Sequence, residues 1–177
     1  MKKGHRVTPP SKINFGEIKH RVSELPPDTV RKNIDVINFD AVKFKLRNYE
    51  HGLGWNEEKT NRVELMYRRF LFLQTTSPET VVPTNDIDQF WHQHILDTQK
   101  YPTDCQKAFG FYLHHFPYFG LRGEDDNRNL QWAFERSGTL YESMYGEAYA
   151  TVPSAPISSP AITVINSSDD DKCAGCG

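Results

Sequence analysis

The sequence predicts an all-α fold: a single compact helical domain of about four to five helices with flexible N- and C-terminal tails. Three observations carry this. Val63, Met66, Tyr67, Phe70 and Leu73 recur at helical spacing. Cap residues such as Asn56 and Thr84 stand just ahead of apolar runs. Both ends of the 177-residue chain shift to Pro-, Ser- and charge-rich text that sustains no periodic apolar surface. The length fits one ordinary core, so the expected division is a loose arm over 1–33, a helical domain over 34–149 and a tail over 150–177 ending in a CxxC.

The elements follow in order. Pro9, Pro10, Pro26 and Pro27 punctuate the arm among charged residues. Over 34–46 the pattern is ambiguous, because Val42, Phe44 and Leu46 alternate like a strand while Phe39, Val42 and Leu46 fit a helix face. A helix started by Asn38 or Asp40 is the preferred reading. Asn56 caps a helix over 57–74 whose first turn carries Glu57 and Glu58 at the positive end of its dipole. Pro78 and Pro83 bracket an extended link, and Thr84 then caps a helix running to about Asp97. Pro102 permits a new start, and Pro117 is expected to end that helix after 103–116. PYFGLRGEDDN reads as a compact loop. The last helix, 127–145, contains Gly138 and is stopped by Gly146.

Charge and composition narrow the function classes. With 21 basic and 23 acidic residues the chain has a net charge of -2, too little to gather nucleic acid, so no nucleic-acid partner is expected. No run approaches the roughly 18–20 apolar residues of a spanning helix, and no membrane association is expected. The basic start lacks the apolar stretch of a secretory signal. Cys105, Cys173 and Cys176 do not make a disulfide framework, and a reducing, cytoplasmic compartment fits them best.

The chemistry-bearing residues concentrate in DIDQFWHQHILD and the helix expected after it. His92 and His94 are two apart, so on a helix they diverge by roughly 200° and cannot chelate one ion together. His94 falls in the apolar stripe with Trp91 and Ile95, which makes it the buried one. His92 lies four residues after Asp88, whose carboxylate can fix its tautomer. On the expected helix 103–116, Cys105, Tyr112 and His115 fall on or beside the apolar face, while His114 turns away. Cys105 and His115 would then stand about 15 Å apart along the axis, too far to share an ion.

The functional reading is a pocket between the helices at 85–97 and 103–116, lined by Trp91, His92, His94, Tyr112 and His115. His92, His94 and Asp88 are its candidate catalytic residues. His94, His115, Cys105 and Asp97 are candidate ligands for a divalent transition metal, and Arg122 is a candidate gate from the loop. The structural alternative makes His94 and Trp91 core residues bonded to buried carbonyls or hydroxyls. It makes Cys105 a small buried hydrophobe and the Arg62, Arg68 and Arg69 cluster a solvated face.

The segment FWHQHILDTQKYPTDCQKAFGFYLHHFPYFG, with KFKLRNYEHGLGW and YRRFLFL upstream, resembles the glycine-rich domain-containing protein-like family of bacteria and plants. The similarity runs from about Asp40 to Glu147. It implies no particular reaction; plant relatives are longer and associated with stress responses and development. It also implies glycine- and cysteine-rich carboxyl tails, of which KCAGCG looks like a short form. Two function classes follow: a metal-binding or catalytic pocket, with a hydrolase and an oxygen-using centre both fitting, and a non-enzymatic module docking a protein partner with structural histidines.

Overall fold

In the computed structural model, which describes residues 20–150, six α-helices account for the regular structure and no β-strand occurs among the described residues. They are α1 (Pro27–Asp35), α2 (Asp40–Arg47), α3 (Glu57–Thr76), α4 (Asn85–Leu96), α5 (Lys100–Phe109) and α6 (Glu124–Tyr145). The Cys173–Cys176 CxxC, the rest of the tail from 151 onward and residues 1–19 of the arm lie outside the described residues.

α3 is the hub: it packs against α1, α2, α4 and α6, and its Val63, Met66, Tyr67, Phe70, Leu71 and Leu73 are buried. The Asn56 side chain accepts from Lys59 N at 2.8 Å, so the cap read from sequence sets its start. Thr84 does the same for α4 through Ile87 N, at 3.3 Å. The two starts are tied together by a buried ion pair, Lys59 Nζ to Asp86 Oδ1 at 3.0 Å. Breaking one side of it would strand a charge in the core at a cost of about 3–5 kcal/mol.

Three differences from the sequence reading matter for the site. The domain starts before Ile34, because the Pro26–Pro27 pair begins a helix: Pro27 stands at its first position, where a missing N–H costs nothing. Val30 and Ile34 then bury one face of α1, so residues 27–33 are not a loose arm. Arg68 is not on a solvated face either. Its guanidinium donates to the carbonyl of Ile34 in the last turn of α1 (2.5 Å), to that of Ile37 just beyond it (2.7 Å), and to Glu64 (2.6 Å).

The third difference is the end of α5. The helix stops at Phe109, and Gly110 adopts a left-handed φ of 84° as its C-cap. Of the expected helix 103–116 only 103–109 is helical, and the element starts earlier, at Lys100. Over 111–114 burial alternates, Phe111 and Leu113 in, Tyr112 and His114 out, as in a strand without a partner. The buried side chains of α6 lie in its second half. Ser137 Oγ accepts from Val82 N (2.8 Å), the Tyr141 hydroxyl accepts from Arg69, and nothing in Glu124–Arg136 is fully buried.

Candidate functional site

α4 presents its two histidines to two different environments. His94 is 1% exposed, inside a cage of Phe39, Tyr67 and Tyr101 rings whose centroids lie 4.8–5.9 Å away. Its Nε2 lies 3.0 Å from Asp104 Oδ2 and its Nδ1 3.0 Å from the Tyr67 hydroxyl. A carboxylate can only accept here, so Nε2–H donates to Asp104 and Nδ1 accepts from Tyr67. That is a neutral imidazole with both nitrogens satisfied. Burial lowers its pKa, with the Asp104 hydrogen bond pulling the other way. Lys100 Nζ donates to the same Asp104 oxygen at 2.6 Å. The His94 ring is thus enclosed, with both nitrogens hydrogen-bonded within the domain.

His92 lies on the opposite side, at the rim. Its Nε2 is 3.6 Å from Asp88 Oδ2, one helical turn back, as the i,i+4 spacing requires. His115 approaches from the extended segment, with Nε2 2.8 Å from Asp88 Oδ1 and 3.2 Å from His92 Nε2. Asp88, His92 and His115 thus offer three ligand atoms all within 4.8 Å of one another. Their side chains are 28%, 41% and 16% exposed, so solvent reaches the cluster. The indole of Trp91 packs on His115 at 4.6 Å between centroids.

The extended segment is held by buried hydrogen bonds. Trp91 Nε1–H donates to the Tyr101 hydroxyl (2.8 Å), which donates to the Leu113 carbonyl (2.5 Å). Burial pushes the Tyr101 pKa far above the ordinary phenol value, so the hydroxyl stays a donor. Two residues past that anchor, His115 is delivered to Asp88.

The remaining candidates fall elsewhere. Asp97 ends α4, and its Oδ1 accepts from Lys100 N (3.1 Å) across the turn into α5; it is not a member of the cluster. Cys105 is buried, and desolvation pushes its thiol up to about 11, the reverse of an activated nucleophile. Tyr112 does not lie on a buried helix face: it is 42% exposed and meets Tyr101 edge-on. Arg122 binds Asp126 (2.6 Å) and lies over the Phe116 ring. Asp126 also accepts from the backbone N–H groups of Gly120 and Arg122, which folds the loop. Sequence reasoning passed over Tyr67 and Lys100 as partners in the buried network and placed Asp104 only along a helix border. The four-residue step from Lys100 to Asp104 was the available signal.

The expected lining does not gather between two helices: His94 is enclosed in the core, and the second wall is not a helix beyond Phe109. Instead an open groove of about 1240 Å³ runs between the 79–85 link, the 111–119 segment and the first half of α6. Asp88 and His115 line it, together with Trp91, Phe116, Leu130 and Phe134.

The sequence profile of the UCP032817-like family matches residues 31–145, most of the described domain. The chain is also similar to glycine-rich domain-containing protein 1 of Arabidopsis thaliana, 31% identical over 88 residues. That stretch covers 47% of this chain and 10% of the plant protein. No solved structure matches. None of the described helices is long and apolar enough to cross a membrane.

Proposed function

The chain belongs to the UCP032817-like family, and within its helical domain we propose that Asp88, His92 and His115 bind one divalent transition-metal ion. The observation behind this is the face-to-face approach of two Nε2 atoms, 3.2 Å apart, on either side of one carboxylate. The Nε2–H of His115 can donate to Asp88 or towards His92, not both, and in either case one nitrogen faces a group it cannot bond well. An ion bound to all three lone pairs removes that conflict. The two separations from His115 Nε2, 2.8 Å to Asp88 Oδ1 and 3.2 Å to His92 Nε2, also lie near the edge of about 3.3 Å between ligand atoms some 2.0–2.1 Å from a tetrahedral ion. Two imidazoles and one carboxylate suit zinc or iron, and they leave room for a water or substrate atom on the groove side. Such an ion supplies Lewis-acid chemistry, polarising a bound carbonyl or acidifying a bound water. A hydrolase and an oxygen-using centre remain the reactions that fit.

A second reading rests on a different observation. Tyr112, Trp132 and Phe134 are 42%, 62% and 39% exposed along the groove, as a module that docks a protein partner would present them. Metal analysis of the full-length chain separates the two. Under the metal reading, plasma mass spectrometry and calorimetric titration with Zn²⁺ or Fe²⁺ find one ion per chain. His115→Ala and Asp88→Asn lose it, and His94→Gln keeps it. A wild type that takes up no added ion, or uptake untouched by both ligand variants, overturns the metal reading and leaves the docking module.

A further inference from the structure

We propose that the groove binds a small apolar carboxylate, its head on the ion held by Asp88, His92 and His115 and its aryl or alkyl body along the apolar wall. This rests on the metal reading and names the ligand class of that same site. The first half of α6 stands away from the core. Between Glu124 and Arg136 no side chain is fully buried, although Leu130, Trp132, Ala133 and Phe134 are apolar. Across from it lie Val81, Val82, Leu113 and Phe116. A helix whose apolar residues face a gap while its second half docks tightly leaves a slot with two apolar walls. Ligand sites are commonly built so, an apolar cleft carrying a few convergent polar groups.

Polar side chains also line the groove, and two of them belong to the proposed ion site. Asp88 and His115 line the groove, so an ion bound there meets whatever lies in it. Charge then selects the head group. A divalent ion, one aspartate and two neutral imidazoles sum to one positive charge, which favours an anion over a neutral or cationic head. The rest of the wall does not oppose this. The acidic Glu79 is paired with Arg136 at 2.9 Å, and Arg21 lies over the Phe111 ring at 4.6 Å, adding positive potential. A carboxylate that takes the outward coordination position would also exclude water from the ion as its body fills the slot.

The probes are phenylbutyrate and its neutral and cationic counterparts, phenylbutanol and phenylbutylamine. They are titrated calorimetrically, with tryptophan fluorescence as a second readout, into the full-length chain loaded with Zn²⁺. Phenylbutyrate is expected to bind one per chain. Both counterparts, removal of the ion by chelation, and His115→Ala should each weaken binding at least about tenfold. Trp132→Asp changes a groove position of α6 that is 62% exposed; it should weaken phenylbutyrate while leaving Zn²⁺ affinity unchanged. Zn²⁺ uptake without phenylbutyrate binding overturns the ligand class and leaves the metal reading standing. Equal binding with and without the ion places the head elsewhere and also overturns it. Failure to take up Zn²⁺ at all is a failure of the metal reading itself.

Discussion

Replacing Asp104 with alanine tests whether the buried half of α4 depends on the network drawn for it. In the wild type Asp104 Oδ2 accepts from His94 Nε2–H at 3.0 Å and from Lys100 Nζ at 2.6 Å. His94 is 1% exposed and caged by aromatic rings, so the orphaned N–H cannot reach water and costs about 1–3 kcal/mol. The Lys100 side chain is 28% exposed and can turn outward, adding no more than about 1 kcal/mol. The expected loss is thus about 1–4 kcal/mol, a substantial part of the roughly 5–15 kcal/mol that holds a domain folded. Asp104→Asn keeps an acceptor and should lose about 1 kcal/mol. Tyr67→Phe removes the donor to Nδ1 and should cost about 1–3 kcal/mol. The double variant Asp104→Ala/Tyr67→Phe should fall short of the sum by at least about 0.5 kcal/mol, because both deletions act on one imidazole. Urea unfolding followed by far-ultraviolet circular dichroism, with chelator present so that no ion adds its own stabilisation, supplies the numbers. An Asp104→Ala variant within about 0.5 kcal/mol of wild type would refute the reasoning, as would strict additivity of the two deletions.

The remaining expectations are shorter. Tyr101→Phe cuts the bonds to Trp91 and Leu113 that hold the extended segment, so Zn²⁺ affinity should drop by about tenfold or more while far-ultraviolet dichroism barely changes; unaltered affinity would remove Tyr101 from any positioning role. In a Cys173→Ser/Cys176→Ser background the remaining thiol, buried and raised to about 11, should react with a disulfide reagent at neutral pH only after denaturation, and prompt native reactivity would contradict its burial. For Glu64, burial acts to raise the pKa, but hydrogen bonds from Lys43 and Arg68 outweigh it and hold the carboxyl below 4.5. Its contribution is therefore complete above that value and disappears as pH falls through the lowered one, so Glu64→Gln should flatten the acid limb of stability against pH. An unchanged acid limb would count against the Lys43–Glu64–Arg68 cluster.

What the sequence made legible was local. Asn56 and Thr84 cap the helices they precede, and the step from Asp88 to His92 puts that pair on the rim. These relations span three or four residues and follow from helical geometry alone. The misreadings came from weighing punctuation wrongly. Pro26–Pro27 looked like a loop signal, yet proline at a first helical position is favourable, and Val30 with Ile34 supplied the face that docks α1. Pro117 was given the end of α5, although Gly110 already stood after Phe109 as a C-cap. With the helix running on to Pro117, His115 and Cys105 were kept in one plan and the ion was sought at His94.

The early stop of α5 is what brings His115 to Asp88. On a helix continuing through His115, the ring's position would be fixed by α5 at 1.5 Å per residue, and it would share the helix's buried face. Released at Gly110, the chain extends by about 3.3 Å per residue and carries His115 back along α4 to Asp88. The two-residue spacing of His92 and His94 then acquires its meaning. It gives α4 a buried side, where the His94 imidazole is hydrogen-bonded through both nitrogens, and a solvent-exposed side, where His92 faces His115 and Asp88. Under the metal reading the two roles separate on one helix: substitutions at His94 should read out in unfolding, and substitutions at His92 in metal affinity.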